Sequence, residues 1–470
     1  MIPQILRVIL ILLEVVVLFN LLIAVHELGH FLAAKWRGLY IEQFGIWFGK
    51  PLWQKKINGV LYSLGSIPAG GFVKLPQLAP MDIIEGEADV DRAQLPPISA
   101  LDKIIVAVAG PLFSMLLALA FACIVWFVGH PVSESDTTTV IGYVQPDSPA
   151  ARGGLLAGDK ILEVDGQKVS RFSGMNNSVV WSVVRSEGET IAFKVERNGA
   201  IRDFTVVPYI AETSGWRRKS VRQVLIAPAQ TPLIEEVKTG TPAAAAGLQP
   251  GDVILGYNGT KIFSPVALVD YIQKHGQEML TLQIMRDGKL LEPTMQPALV
   301  GEEKTPQIGI AWDSGGRMSI AHPNPLEQVY SSITSTLTTL GAVASPKSDV
   351  KLQHMSGPFG IFRIYYMLFQ SENGWKLALW FSVILNVNLA ILNMLPIPVL
   401  DGGHIVLAII ESIRRKPVNI KILEFVQTGC AVLILGYMAY VSFFDIGDWF
   451  GREKAEPKRS QSETQPTPAP

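Results

Sequence analysis

The stretch Val25-His26-Glu27-Leu28-Gly29-His30-Phe31 decides the reading of this chain. It lies inside an apolar run from Ile5 to Ala34 whose other ionisable residues are Arg7 and Glu14. On a helix, His26 and His30 stand at i and i+4, so both imidazoles leave one face and can bind a single zinc ion. Glu27 sits beside them, where a carboxylate can act as general base on a zinc-bound water. Ionisable groups at membrane depth are costly, and their presence there marks function.

Working outward, the chain has 470 residues, 49% of them hydrophobic, with a mean hydropathy of +0.29. That is too apolar for an ordinary soluble protein and too polar for one that is all membrane, so a few spans plus a soluble part are expected. A net charge of −1 gives no reason to expect a nucleic-acid partner. The two cysteines, Cys123 and Cys430, both lie in apolar runs and imply no disulfide framework. The N-terminal run has only Arg7 as a basic flank and continues into His26 rather than to a small-residue cleavage site. It therefore reads as a retained span, not a signal peptide.

Four runs, at about 5–34, 104–129, 377–399 and 423–444, reach the roughly 20 apolar residues a bilayer requires. Basic residues set the expected orientation. Lys35, Arg37, Lys50, Lys55, Lys56 and Lys74 lie between the first two spans, and Arg414, Arg415, Lys416 and Lys421 between the last two. Both loops are expected in the cytoplasm, with the termini and the large 130–376 segment on the other side of the membrane. The last dozen residues, rich in Ser, Thr, Gln and Pro, read as disordered.

The large segment contains an internal repeat in a constant register. Ser148-Pro149-Ala150-Ala151 recurs as Thr241-Pro242-Ala243-Ala244, Gly154-Leu155 as Gly247-Leu248, Gly158-Asp159 as Gly251-Asp252, and Asp165-Gly166 as Asn258-Gly259. Two copies of one module are expected, each with an Ala-rich turn of helix ending at Gly, an apolar strand and an Asx-Gly hairpin turn. The pattern resembles PDZ domains of the bacterial periplasmic type. The resemblance implies a peptide-binding strand late in each copy, at Leu225 and Ile226 in the first and at Ile308, Gly309 and Ile310 in the second. Peptide C-termini are the partners such grooves take, by strand addition; a spacer or size filter is the alternative role.

HExxH supplies two zinc ligands, and a catalytic site needs a third. The third run ends Asn393-Met394-Leu395-Pro396-Ile397-Pro398-Val399-Leu400-Asp401-Gly402-Gly403-His404. Its two prolines break the helix at membrane depth, which is tolerated where the backbone is buried in protein or lines a wet cavity. Asp401 is the expected third ligand, with His404 as the competing candidate. Asn393 is placed to hydrogen-bond a substrate backbone or an oxyanion.

HExxH in the first span, NxxPxPxLDGG in the third and PDZ modules between the second and third resemble the site-2 protease family of intramembrane metalloproteases. Two tandem modules in a four-span frame resemble its bacterial regulator of sigma-E branch. The resemblance covers nearly the whole chain. It implies one Zn2+ per chain, held by His26, His30 and Asp401, with Glu27 as catalytic base and Asn393 in substrate positioning, a role Asn388 is a weaker match for. It also implies that Ile67–Leu75, with Gly70, Gly71, Phe72 and Val73, is a membrane-embedded hairpin whose edge pairs with an unwound substrate. Ser356-Gly357-Pro358-Phe359-Gly360-Ile361 resembles the family's GPxGI segment and is expected to pack near an external gate. Ala109-Gly110-Pro111 opens the second span as in relatives. Leu112-Phe113-Ser114 stand where an Asn is frequent, so no substrate role is expected there.

The expected fold is a multi-pass α-helical membrane protein of about four spans, with two tandem extracytoplasmic PDZ domains (α+β) between spans two and three. The expected division is 1–36 span one; 37–100 a cytoplasmic loop with the hairpin; 101–130 span two; 138–229 and 230–315 the PDZ modules; 316–376 an amphipathic linker; 377–404 span three; 405–422 a cytoplasmic segment; 423–446 span four; and 447–470 a tail. The partners the family implies are the lipid bilayer and single-pass transmembrane substrates, either an anti-sigma factor already trimmed by another protease or leftover signal peptides. The expected place is a bacterial inner membrane. A transporter with a broken helix would show inverted repeats, and none is found in the four spans.

Overall fold

Among the described residues, four helices are long and apolar enough to cross a membrane. They are α1 (Ile2–Arg37), α2 (Ala100–Val128), α3 (Gly374–Asn393) and α5 (Ile420–Ala455); α4 (Asp401–Arg414) lies between the last two. The computed structural model describes residues 2–78 and 95–455, apart from 214, 216, 277, 301–304, 314, 315, 372 and 417. It divides into two compact units, one of residues 1–130, 322–338 and 352–470, the other of 131–321 and 339–351.

In the first unit, α2 starts at a capping box in which Ser99 accepts from the Asp102 amide and Asp102 reaches back to the Ser99 backbone. Leu22 of α1, Ala118, Phe121 and Ala122 of α2, and Val383 and Val387 of α3 form one buried cluster. Small residues on α2 let these helices approach closely, which drives packing in a solvent as apolar as the side chains themselves. Helix α3 stops at Asn393, and α4 begins at Asp401 after the Pro396–Pro398 break. The expected tail from 447 is corrected in part: α5 runs on to Ala455 through Arg452, Glu453 and Lys454, which are good helix formers. The remainder of the tail lies outside the described residues.

Between α1 and α2 stands a four-stranded sheet of β1 (Gln43–Phe48), β2 (Trp53–Ile57), β3 (Val60–Leu64) and β4 (Ile67–Lys74), in the order β2-β3-β1-β4. The expected 67–75 hairpin is therefore one strand. Gly70 and Gly71 lie inside β4 instead of at a turn, because β1 supplies an antiparallel partner for its whole length. Gly70 has φ +108°, beside a register shift between Ile46 and Phe48. Val73 and Leu75 bury against Phe31 and Ala34 of α1, which seats β4 along the HExxH helix.

The GPxGI segment forms the start of the helix Pro358–Gln370, and a residue of α5 explains its glycines. The buried Asp445 carboxylate accepts from the amides of Gly357 at 2.9 Å and Gly360 at 3.1 Å. A Cβ on Gly360 would lie within 2.9 Å of both carboxylate oxygens. A carboxylate at a helix N-terminus satisfies amides that would otherwise lack partners.

In the second unit both repeat copies fold alike. Each has a Pro-started turn of helix capped by Ser148 or Thr241, and a hairpin turning at Asp165-Gly166 or Asn258-Gly259 with both residues at positive φ. The first copy orders its strands 200–206, 191–197, 160–164 and 167–168; the second orders 260–261, 253–257, 280–286 and 289–291. Each core is closed around equivalent residues, Leu155 and Ile161 in one and Leu248 and Ile254 in the other. A buried ion pair is also duplicated. Arg197 grips Asp159 through two nitrogens at 2.6 Å and donates to the Gly154 carbonyl. Arg286 does the same to Asp252 and Gly247.

Candidate metal centre

Helix α1 delivers His26 and His30 to one face, and the α3–α4 break turns the chain so that Asp401 faces them. The His26 Nε2 and His30 Nε2 atoms are 3.3 Å apart. Asp401 Oδ2 lies 3.2 Å from the first and Oδ1 3.3 Å from the second. Among the described residues this is the group able to hold a metal ion; His26 is buried, and His30 and Asp401 are largely covered, with side chains 11% and 16% exposed. His404, the competing ligand, is one turn further along α4 and is not part of the group.

The fit to zinc can be tested on these atoms. His30 Nδ1 lies 2.8 Å from the Val106 carbonyl, which can only accept, so the proton sits on Nδ1 and Nε2 carries a lone pair. His26 Nδ1 is 2.9 Å from the fully buried Ser114 Oγ, a hydroxyl able to accept the Nδ1 proton and leave the Nε2 lone pair free. Two imidazole lone pairs and a carboxylate then converge with no proton between them, and buried Asp401 Oδ2 lacks a well-aligned donor. That arrangement is repulsive unless a cation sits within it. Ligand atoms about 2.0–2.1 Å from a tetrahedral zinc are about 3.3 Å from one another, the spacing observed. The residues fit the ion.

Helix α2 forms the wall of the site. A Cβ on Gly110 would come within 2.2 Å of His30 Nε2 and 2.8 Å of His26 Nε2. A Cβ on Gly29 would meet the Ala109 carbonyl at 2.4 Å, so α1 and α2 touch backbone to backbone beside the motif. Gly110, Ser114 and the Val106 carbonyl escaped the sequence reading. The Ala109-Gly110-Pro111 stretch carries the signal for Gly110, whereas a Ser at 114 in an apolar helix carries none.

Asn393, at the last turn of α3, places its amide nitrogen 3.2 Å from His26 Nε2. Asn388 is not brought to the metal group: its carboxamide oxygen accepts from the Thr336 hydroxyl. Glu27 lies with its carboxylate beside both histidines and Asp401. A Cβ on Gly71 would be 3.5 Å from Glu27 Cγ, so the strand passes directly by the base. Gly70 and Phe72 point elsewhere, Gly70 against the Phe48 ring and Phe72 stacked on it at 5.6 Å.

In the repeat unit, Ile226–Pro228 pairs antiparallel with Ile141–Val144, and Ile310–Trp312 pairs with Ile234–Val237. Leu225 and Gly309 precede these strands at equivalent places. The Leu225 carbonyl accepts from Gln145 and the Gly309 carbonyl from Lys238, and both residues have positive φ, 60° and 86°. Ile308 is a buried core residue.

A family model described as peptidase family M50 matches residues 14–437. A protein of Neisseria meningitidis serogroup A, whose name places it among the zinc metalloproteases, is 30% identical over 449 residues, 90% of this chain and 96% of that one. The protein called protease RseP in Yersinia pestis is 28% identical over 456 residues, 92% of this chain and 97% of its own. The regulator of sigma-E protease RseP of Salmonella typhimurium is 26% identical over 462 residues, with the same coverage. A solved PDZ domain of an SdrC-like protein from Listeria monocytogenes, 24% identical, covers 18% of this chain and 88% of its own, with a TM-score of 0.17. The chain belongs to peptidase family M50 and is a zinc metalloprotease.

Proposed function

We propose that the protein cuts transmembrane segments of single-pass membrane proteins inside the bilayer, taking substrates whose ectodomains have already been trimmed. The observation that carries this reading is the placement of His26 and His30, with Asp401 at 3.2–3.3 Å from them, on a helix apolar enough to span a membrane. An anti-sigma factor stub and a leftover signal peptide both fit that description. The inner membrane is the proposed location, with the basic loops in the cytoplasm and the PDZ modules outside, as the Lys and Arg distribution argues.

Bound zinc, held by His26, His30 and Asp401, supplies Lewis acidity toward a peptide carbonyl and an acidified water. The chain's own residues do the rest. Glu27 takes the proton of the attacking water on its carboxylate and returns it to the leaving amine. Asn393 is positioned to donate its amide to the carbonyl oxygen as charge grows there. A substrate helix hides its carbonyls in its own i to i−4 bonds and must unwind first. The edge of β4, the strand that carries Gly70, Gly71, Phe72 and Val73 and passes the base at Gly71, offers a strand for the unwound segment. Asn388, tied to Thr336, would act only through the packing of α3.

The two modules serve as a filter outside the membrane. Leu225 and Ile226, and Ile308, Gly309 and Ile310, line the place where a peptide C-terminus would add as a strand.

The test is cleavage of a tagged single-pass substrate with a truncated ectodomain, in liposomes with zinc. Wild type should yield a zinc-dependent product that Glu27→Gln does not, while both bind one zinc. Product from Glu27→Gln would remove Glu27 as the base. A metal-free wild type would sink the assignment of the site.

A further inference from the structure

The two repeat copies differ at one end of the groove each is expected to form. Three residues before Leu225 stands Arg222, and three before Gly309 stands Pro306. Both sit where the chain leaves a helix. The Arg222 guanidinium donates to the Gly188 carbonyl at 2.9 Å, just past the helix Val179–Arg185. Pro306 lies against Gly276, just past the helix Pro265–Lys274, where a Cβ would meet its ring at 2.2 Å. The places are equivalent, and of the two copies the first alone puts a cation there. Arg222 is buried, and a buried charge needs a partner. The chain supplies one from further along: Arg222 Nε donates to the Asp349 carboxylate at 2.7 Å. The loop that carries Asp349 is held in shape. The Val350 amide donates to the Ser348 hydroxyl at 3.1 Å, and the Lys351 ammonium donates to the Ser345 and Pro346 carbonyls at 3.0 and 3.3 Å. Beside the carboxylate, Val350 is buried with Ala342 and with Trp181 of the helix Val179–Arg185, and Val184 packs against them.

We propose that Asp349 and Val350 are a built-in occupant of the first module's peptide groove. This rests on Leu225 and Ile226 lining that groove, as proposed above. The last residue of a bound peptide offers a carboxylate and a side chain together. Asp349 gives the first to Arg222, and Val350 gives the second to the helix Val179–Arg185. A segment of the same chain acts at an effective concentration on the order of millimolar, so a free peptide C-terminus enters only when the loop 345–351 lifts. The seat is imperfect, because the buried Trp181 indole N–H is left without an acceptor among the described residues. A peptide main chain that supplies one gains over the loop. The two modules then differ in chemistry. The first takes a carboxylate next to an aliphatic side chain, as at a freshly cut C-terminus ending in Val, and is closed at rest. The second, with Pro306 in place of the guanidinium, has no charge at that place for a carboxylate to reach.

The test uses the full-length protein in detergent with Cys123→Ala and Cys430→Ala. The probe is a fluorescein-labelled peptide, Ser-Pro-Lys-Ser-Asp-Val, which copies residues 345–350 and ends in a free carboxylate. Asp349→Asn keeps the shape of the loop and removes its charge. It should bind the probe about tenfold more tightly than the parent, the scale of one hydrogen bond to a charged group. Adding Arg222→Gln should cancel that gain. Equal affinity in the parent, Asp349→Asn and Arg222→Gln would overturn the inference while leaving peptide capture elsewhere on the modules standing. No binding to any of them would overturn the inference and the groove reading together. A second measurement leaves the ion pair intact. Val350→Cys in the same background should react slowly with a maleimide, because the site is buried, and excess probe should speed that reaction about tenfold by lifting the loop. A rate that the probe leaves unchanged would overturn the inference, since loop and peptide would then not share a seat. Both readings are taken without cleavage, so an inactive protease with a displaceable loop would count against the proposed function alone.

Discussion

Two glycines carry the contrast between the halves of this molecule. Gly110 in the membrane unit faces two imidazole nitrogens, at 2.2 and 2.8 Å from where a Cβ would stand. Gly309 in the repeat unit faces Thr241, at 2.3 Å by the same measure. Both positions exclude a side chain, but the neighbours differ in kind. In one they are the two imidazoles of the proposed metal group, His26 held by Ser114 and His30 by the Val106 carbonyl; in the other, a structural cap that starts a turn of helix. The membrane unit spends its close contacts on chemistry and the repeat unit spends them on fold. Substitution should therefore separate the two.

The sharpest way to break that contrast is Gly110→Ala. It should abolish zinc binding while leaving the repeat modules folded, as read by metal analysis and by hydrogen exchange at Val195 and Ile284. Retained zinc would show that α2 can shift away and that the wall of the site is soft. Next comes Asp159→Ala, which strands Arg197 in a site where the aspartate is 1% exposed. Removing the aspartate takes away the acceptor of both the guanidinium and the Leu156 amide, which destabilises the first module. Exchange at Val195 should speed up accordingly while zinc stays bound, and Asp252→Ala should act in the same direction at Ile284. Gly309→Leu adds a side chain into Thr241 at a left-handed backbone and should cost about 2–4 kcal/mol at Ile284. The smallest effect is its mirror. Leu225 already occupies the equivalent place at φ 60°, so Leu225→Gly relieves strain and should slow exchange at Val195 by up to about 1 kcal/mol. If Leu225→Gly is instead destabilising, the leucine side chain holds the first module together and the two copies are less alike than their backbones.

The two halves were also legible in different ways. The repeat declared itself through duplication: Gly158-Asp159 against Gly251-Asp252 needed no energetic argument, only a constant register. The metal group was legible through ligand chemistry, since HExxH and a carboxylate past a proline break are recognisable types at recognisable spacing. What stayed hidden was what lies across from them. Ser114 and Gly110 are ordinary residues on an apolar helix, and only the crossing of α1 and α2 gives them neighbours. The partner arginines Arg197 and Arg286 were missed likewise, because they stand on strands 38 and 34 residues from their aspartates. The strand 67–74 was read as a hairpin because Gly70-Gly71 has the composition of a turn. Its true partner, β1, pairs with it from Phe48↔Ile67 to Gln43↔Lys74, beyond the reach of a local pattern.

Asp445 has a mechanical consequence. Its carboxylate is shared between two amides that start the helix Pro358–Gln370, and it is carried by α5. Sliding α5 by one turn, or rotating it about its axis, would pull the Asp445 carboxylate away from both amides. The two helices are thus pinned together like a dowel in a joint. Any opening of the bundle on that side has to move them as one lever, with its flex at the ends of the pair instead of between them. A disulfide between Gly357→Cys, whose Cβ would stand 3.2 Å from the Ser442 hydroxyl, and Ser442→Cys should then leave cleavage unimpaired; loss of cleavage on oxidation would show that the joint has to open.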